Sequence, residues 1–308
     1  MQDTRRKGGI NYVKILGHAG ALLTVIAWGS SFVFTKVLME DGGFSPVETY
    51  VYRFAMAYLF LLPFTMKKIF ARNLKDEVQL ALCGICSGTL YFILENYALT
   101  LTTTANVSLL SGISPLFTAM LLAIVFHTGL KRGVIWGSLI AIAGVTLVIL
   151  AAPLAMGQGL KINPAGDILA LTAAVSWAIY GVAAKRLIPL YSTLFITRKM
   201  FFYGVVTALP LLLVGHEPLH LGLLFDFSHP QYLLNMLFLV LICSLMAYVF
   251  WNESMKAIGA VATNNYIYAQ PIVTMILGAL WLHEHIYLLG VVGCLLIVGG
   301  LALADKLK

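Results

Sequence analysis

An all-α integral membrane protein, with ten transmembrane helices arranged as two inverted five-helix repeats, is the architecture this sequence predicts. Three observations carry that expectation: the apolar composition, an internal repeat that holds its register, and a one-sided distribution of basic residues. Of the 308 residues, 60% are hydrophobic and only 11% charged, and the mean hydropathy is +0.90. Soluble domains run at roughly 45–50% apolar and 25% charged, so the favourable solvent for this chain is a bilayer.

The repeat is visible residue by residue. Asn96, Pro115, His127, Gly137 and Gly144 recur as Asn252, Pro271, His283, Gly293 and Gly300 at a constant offset of 156. Thr118, Leu121, Ala123, Leu139 and Leu147 keep their identity at the same offset. Trp28 and Lys36 recur as Trp177 and Lys185 at an offset of 149, so seven extra residues belong to the second half, in the loop around His216 to Gln231.

A spanning helix needs about 20 mainly apolar residues. Breaks at charged and turn-forming positions give ten spans, over 17–38, 46–66, 78–99, 104–127, 133–152, 166–187, 193–215, 231–252, 258–282 and 286–304. The first is longer than the roughly 7–15 residue core of a signal peptide and is expected to be retained. It carries Trp28, Ser31 and, at its end, Lys36. The second carries Arg53, and the third carries Cys83, Cys86 and Glu95. Pro115 lies in the fourth and Pro271 in the ninth, both expected mid-helix. The fifth and tenth are rich in glycine. Barrel strands would alternate apolar and polar positions, which runs such as 139–150 and 237–245 do not. The first repeat is placed at 17–152 and the second at 166–305, joined by a linker over 153–165.

Lys and Arg favour cytoplasmic loops. With ten spans, seventeen of the twenty basic residues fall on the side of the amino terminus; Lys36 and Lys161 fall opposite, and Arg53 lies inside a helix. Both termini are therefore expected in the cytoplasm, in a multi-pass protein of the plasma (inner) membrane. Because five is odd, the second repeat enters the membrane from the other side. A nucleic-acid partner is not expected from this charge pattern. The four cysteines sit within spans and outline no disulfide framework, and no cofactor or metal is expected.

The prolines of the fourth and ninth helices, Trp28 and Trp177, Arg53, and the closing Gly137/Gly144 and Gly293/Gly300 pairs together resemble the EamA-type members of the drug/metabolite transporter superfamily. The resemblance covers roughly residues 18–150 and 166–304. It implies ten helices in inverted repeats around a central cavity that opens alternately to either side, and movement of small metabolites, often outward. An acidic residue common at the ends of the fourth and ninth helices stands here as Glu284, while the first-half position is Thr128.

Helical spacing of three to four places residues on one face and gives a candidate lining for that cavity. Trp28 and Ser31 share a stripe on the first helix, and Trp177 and Tyr180 share the matching stripe on the sixth. Ser108 and Ser111 share a face of the fourth helix with Pro115, and Asn264, Asn265, Tyr268 and Gln270 cluster on the ninth. The serines serve equally as close-packing positions between membrane helices, whereas so many amide and phenol groups at one depth are costly facing lipid. Pro115 and Pro271 are candidate hinges, with a static kink as the alternative.

Ionisable residues in the apolar layer are costly and point to function. Arg53 lies roughly 10 Å deep at 1.5 Å per residue. It is either a ligand for a substrate carboxylate or phosphate, or a structural partner of Glu95 or Glu48. Glu95 is the candidate proton-coupling group or amine partner. The run from His283 to His285 lacks the spacing of a helical zinc motif and reads as an interfacial anchor, as do Lys36 and Lys185.

The expected activity is that of a secondary transporter, an exporter of a small polar metabolite such as an amino acid, working by alternating access between the repeats. Its partners are the small-molecule substrate, the lipid bilayer and, as a candidate coupling ion, the proton; the oligomeric state is left open. A membrane-embedded enzyme needs a reactive constellation within the bilayer, and HExxH, paired aspartates and Gly-x-Ser-x-Gly are absent from the ten spans; the string His216 to His220 has the first pattern but falls in a loop. A non-transporting structural or regulatory subunit is the remaining alternative.

Overall fold

The structure is a computed structural model that describes residues 2–101, 107, 110–127, 129–155, 157, 163–214, 219–281 and 286–306. At 2–11, 32, 33, 36, 40, 99, 152, 153, 274, 277–281, 305 and 306 it describes the backbone alone. Among the described residues the regular structure is entirely helical. Thirteen α-helices follow in order: α1 (Gln2–Lys36), α2 (Pro46–Thr65), α3 (Leu74–Gly84), α4 (Tyr91–Leu101), α5 (Ser114–Val125), α6 (Arg132–Ala155), α7 (Pro164–Leu187), α8 (Thr193–Val214), α9 (Pro230–Phe238), α10 (Ala247–Ile258), α11 (Ala260–Asn265), α12 (Gln270–Trp281) and α13 (Leu288–Lys306). Six stretches among the described residues are long and apolar enough to cross a membrane: Tyr12–Ser31, Leu74–Ala98, Arg132–Ala151, Pro164–Leu187, Thr193–Val214 and Pro230–Ile258.

Local chemistry sets the boundaries. Ser45 caps α2 through a capping box with Glu48, followed by Pro46 in the first turn, where a missing N–H costs nothing. Asn73 caps α3 by accepting from the Asp76 amide at 2.8 Å, and Asn163 caps α7 through the Ala165 and Gly166 amides. Gly259 has φ +90 between α10 and α11, a backbone region that favours glycine.

Several expected spans are continuous in path but changed in register. Between α3 and α4 the helix passes through a π segment, Ile85–Leu90, and between α9 and α10 through another, Leu239–Met246. At the 156-residue offset the first maps onto 241–246, inside the second. The loop from Thr65 to Leu74 holds eight residues and that from Val214 to Pro230 holds fifteen. The seven extra residues therefore sit where the shift of offset requires, and they include the 3-10 turn Leu221–Phe225.

The prolines correct one expectation. Pro115 and Pro271 do not lie mid-helix: each stands in the first turn of a helix that restarts after an interruption. Turn residues Gly112 and Ile113 precede α5, and the 3-10 segment Tyr266–Ala269 precedes α12. Proline lacks the N–H and clashes one turn back, so the helix breaks before it instead of bending around it.

Helices pack chiefly across the two halves. α1 lies against α10 and α12, while α7 lies against α3, α4 and α5; α2 packs on α8, and α6 runs along α13. The last pair is joined at glycines: a Cβ on Gly137 would lie 2.5 Å from the Gly300 carbonyl, and one on Gly144 would lie 2.6 Å from the Gly293 carbonyl. Such close backbone approach replaces the hydrophobic effect as the packing force within lipid.

Candidate functional site

α1, α2, α4, α5, α7 and α12 converge on a cavity of about 30 Å³ lined by Trp28, Ser31, Arg53, Tyr91, Phe92, Glu95, Ser114, Trp177, Ile267 and Gln270. A second space of about 20 Å³ continues from it past Thr35, Thr49 and Asn96 and shares Ser31, Arg53, Phe92 and Glu95. Each has room for about one water.

Arg53 and Glu95 are each 4% exposed. The Arg53 Nε donates to Ser244 Oγ at 2.6 Å and an Nη to the Cys243 carbonyl at 3.1 Å, with the guanidinium 5.1 Å from the ring centres of Phe54 and Phe92. The Glu95 carboxylate accepts from Tyr91 OH at 2.7 Å. Among the described residues Arg53 forms no ion pair with either Glu95 or Glu48. Glu48 is taken up by the α2 cap and by His220, whose Nδ1 lies 3.0 Å away. Arg53 and Glu95 thus line one cavity, each hydrogen-bonded directly by neutral groups and not by the other.

The π segments supply part of this positioning. A π turn shifts the hydrogen-bond register and recurs at functional sites. The Cys243 carbonyl in the second accepts from Arg53 and also from Trp28 Nε1 at 2.9 Å. Its counterpart at the 156-residue offset, the Ser87 carbonyl in the first, accepts from Tyr248 OH at 2.9 Å.

An aromatic cluster closes the cavity toward the side of the amino terminus. Trp28 and Trp177 meet edge to face with ring centres 5.1 Å apart, and Trp251 and Tyr248 pack around them. Trp177 Nε1 donates to Asn264 Oδ1 at 3.0 Å, and Tyr180 OH donates to Asn252 Oδ1 at 2.9 Å. Thr118, Gly181 and Asn264 touch in the same layer. Beyond it lies a larger, open cavity of about 700 Å³, lined by His18, Ala119, Leu122, Lys131, Lys185, Asn265 and Tyr266 among others.

Toward the other end the lid is polar. His220 and the turn Leu221–Phe225 sit over the α2 N-terminus, Phe44 packs against His220 and Tyr232, and Tyr232 OH donates to the Asp41 carbonyl at 3.0 Å. At the amino-terminal end a second clasp joins the halves. Tyr191 OH donates to Asp76 at 2.6 Å and accepts from the Arg72 amide, and Lys199 pairs with Glu77. Burial and the Asp76 hydrogen bond push the Tyr191 phenol above its ordinary pKa.

Of the residues singled out in the sequence, Trp28, Ser31, Arg53, Glu95, Trp177 and Gln270 line the small cavity. Asn264 and Tyr180 stand behind it, holding Trp177 and Asn252, and Asn265 lines the large cavity. Ser111 is buried beside this region without lining either space. Tyr268 is not brought to the site: it packs with Ala141, Val145 and Ile297 of α6 and α13. Ser108, Thr128, His283 and Glu284 lie outside the described residues. Sequence reasoning missed Tyr91, which stands one turn before Glu95; the i, i+4 spacing of a phenol and a carboxylate was the available signal.

The sequence matches the EamA-like transporter family over residues 15–150 and 164–304. An uncharacterised transporter of Bacillus subtilis is 28% identical over 302 residues, which cover 96% of this chain and 93% of that one. A probable terminal-alkyne amino-acid exporter of Streptantibioticus cattleyicolor is 26% identical over 288 residues, 92% of each chain. A solved crystal structure superposes with a TM-score of 0.72 at 19% identity, covering 96% of each chain, a likeness of fold alone.

Proposed function

Since the chain belongs to the EamA-like transporter family, we propose that this membrane-embedded, multi-pass protein is a secondary exporter of a small zwitterion of the amino-acid type. One observation carries the reading: a buried guanidinium and a buried carboxylate, Arg53 and Glu95, line one cavity without pairing with each other. An α-amino acid presents a carboxylate and an ammonium, the complements of both. Trp28, Trp177 and Phe92 supply the apolar wall for its side chain. The amino-acid exporter among the relatives supports the same chemistry.

The mechanism is alternating access. A cavity of about 30 Å³ is too small for an amino acid, so the conformation described here is closed around the centre, with the aromatic layer shutting it off from the large cavity. Substrate enters when the Trp28 edge leaves Trp177 and the Trp177–Asn264 hydrogen bond breaks. Pro115 and Pro271 act as hinges, because each marks a point where the backbone ladder is already interrupted. The chain forms ten transmembrane helices in two inverted repeats, over 17–152 and 166–305. The matched π segments, the matched breaks before the prolines and the cross-half packing support that arrangement. The one-sided distribution of basic residues supports both termini in the cytoplasm, in a protein of the plasma membrane with Glu95 as its proton-coupling group.

Counterflow into proteoliposomes tests the reading. The purified protein should exchange internal unlabelled leucine for external labelled leucine, and Arg53→Gln should abolish the exchange while leaving the thermal melting of the protein in place. Failure of the unmodified protein to exchange any neutral amino acid would overturn the assignment of substrate class.

A further inference from the structure

The 700 Å³ cavity has the size of a small-molecule site and an uneven charge. Its floor is apolar, formed by Ala119, Leu122, Val134, Ala260 and Val261, and its ionisable groups are Lys185, Lys131 and His18. Among the described residues that line it there is no carboxylate. Lys185 forms no ion pair with a described residue; its ammonium rests instead on the Phe126 ring, 4.0 Å from the centroid. His18 Nδ1 is engaged with Tyr266 OH at 2.8 Å. A cation held by a ring keeps its hydrogen-bond donors available, and low-dielectric walls focus its field into the cavity.

We propose that this cavity is a carboxylate-selecting vestibule in which Lys185, with Lys131, receives the carboxylate of the amino acid before that group passes to Arg53. The proposal rests on the transport reading and deepens it by naming the group that is recognised first. α5 lines both spaces, with Ser114 at the small cavity and Ala119 and Leu122 at the large one, so the two come within roughly 8 Å of each other along one helix at 1.5 Å per residue. Trp177, Asn264 and Thr118 form the layer between them. The counterpart of Lys185 at the 149-residue offset is Lys36, which directly follows Thr35 of the small outer space. A carboxylate solute and an anionic lipid headgroup share the chemistry this vestibule recognises.

Binding to the whole protein in nanodiscs, with no transport step, separates this proposal from the function on which it rests. The probe is N-acetyl-leucine, compared with leucinamide, in phosphatidylcholine discs and in discs doped with phosphatidylglycerol. Acetyl-leucine is expected to bind more tightly than leucinamide, and Lys185→Gln is expected to weaken it roughly five- to tenfold, a factor fitting the loss of one charge-assisted hydrogen bond. Lys185→Arg should retain binding and Lys131→Gln should weaken it less. Binding equal in both discs identifies the solute as the occupant; binding suppressed by phosphatidylglycerol identifies the headgroup as a competitor for the same lysine. No binding of acetyl-leucine in either disc, or binding indifferent to both Lys185→Gln and the charge of the probe, overturns the vestibule. Loss of leucine counterflow with acetyl-leucine binding intact would instead strike the transport reading.

Discussion

Gly137 faces Gly300 so closely that a Cβ on the first would lie 2.5 Å from the carbonyl of the second, and Gly144 faces Gly293 in the same way. At the 156-residue offset Gly137 corresponds to Gly293 and Gly144 to Gly300. Each glycine therefore touches the counterpart of the other, as the antiparallel packing of two equivalent helices requires. Trp28 and Trp177, also counterparts, meet edge to face at the centre. The two contacts tie the core of the bundle to its edge through one relationship between the halves.

Gly137→Ala should therefore destabilise the pair of helices by about 1–3 kcal/mol through overpacking, and Gly300→Ala likewise. Gly299→Ala is the control, since a Cβ there has no atom within 4 Å. Thermal melting in detergent separates them: equal melting of Gly137→Ala and Gly299→Ala would contradict the close contact.

Arg53→Lys keeps the charge but loses the fork that reaches Ser244 and Cys243 together. A point charge cannot replace a planar donor pair, so counterflow should fall roughly tenfold, against complete loss in Arg53→Gln. Wild-type exchange in Arg53→Lys would mean that charge alone suffices.

Glu95→Gln removes the ionisable group and keeps the hydrogen bond from Tyr91 within reach. Leucine exchange should persist while accumulation driven by a pH gradient disappears. Accumulation unchanged by the substitution would remove Glu95 from coupling.

Asn264→Leu deprives the buried Trp177 indole of its acceptor, which costs about 1–3 kcal/mol for an unsatisfied donor. In transport terms it weakens the closed layer between the two cavities. Quenching of tryptophan fluorescence by acrylamide should rise; unchanged quenching together with unchanged melting would show that this bond does not hold the layer shut.

Burial, and then the hydrogen bond that its protonated form donates to Asp76, raise the Tyr191 phenol. The stability it supplies is fully present below the unfolded tyrosine pKa of about 10 and is lost as pH rises through the higher folded value. Tyr191→Phe should melt earlier at neutral pH and lose the part of the alkaline destabilisation that this phenol causes; a melting curve that overlays the wild type from pH 7 to 11 would count against the clasp.

Much of this protein follows from the chain alone. Sixty per cent hydrophobic residues dictate helices in lipid, because every backbone polar group must be satisfied within its own segment there. The register of Pro115 with Pro271 and of Gly137 with Gly293 showed the internal repeat before any coordinates, although the prolines were expected mid-helix and stand instead in the first turn of restarted helices. Arg53, Glu95, Trp28, Ser31, Trp177 and Gln270, singled out as candidates from polar, ionisable and aromatic groups at membrane depth, line one cavity.

Tertiary structure decided the rest. Tyr268 has the right face and depth by spacing, yet it turns into the α6–α13 contact, because it lies in the 3-10 segment Tyr266–Ala269, where the rotation per residue departs from the α-helical period. Only the fold could show that Arg53 bonds Ser244 and Cys243 across 190 and more residues and leaves Glu95 to Tyr91, or that Lys185 faces a ring and an open cavity. Sequence periodicity fixes which residues share a face; which faces meet is fixed by steric fit between helices far apart in the chain, and the chemistry of the site lies in those meetings.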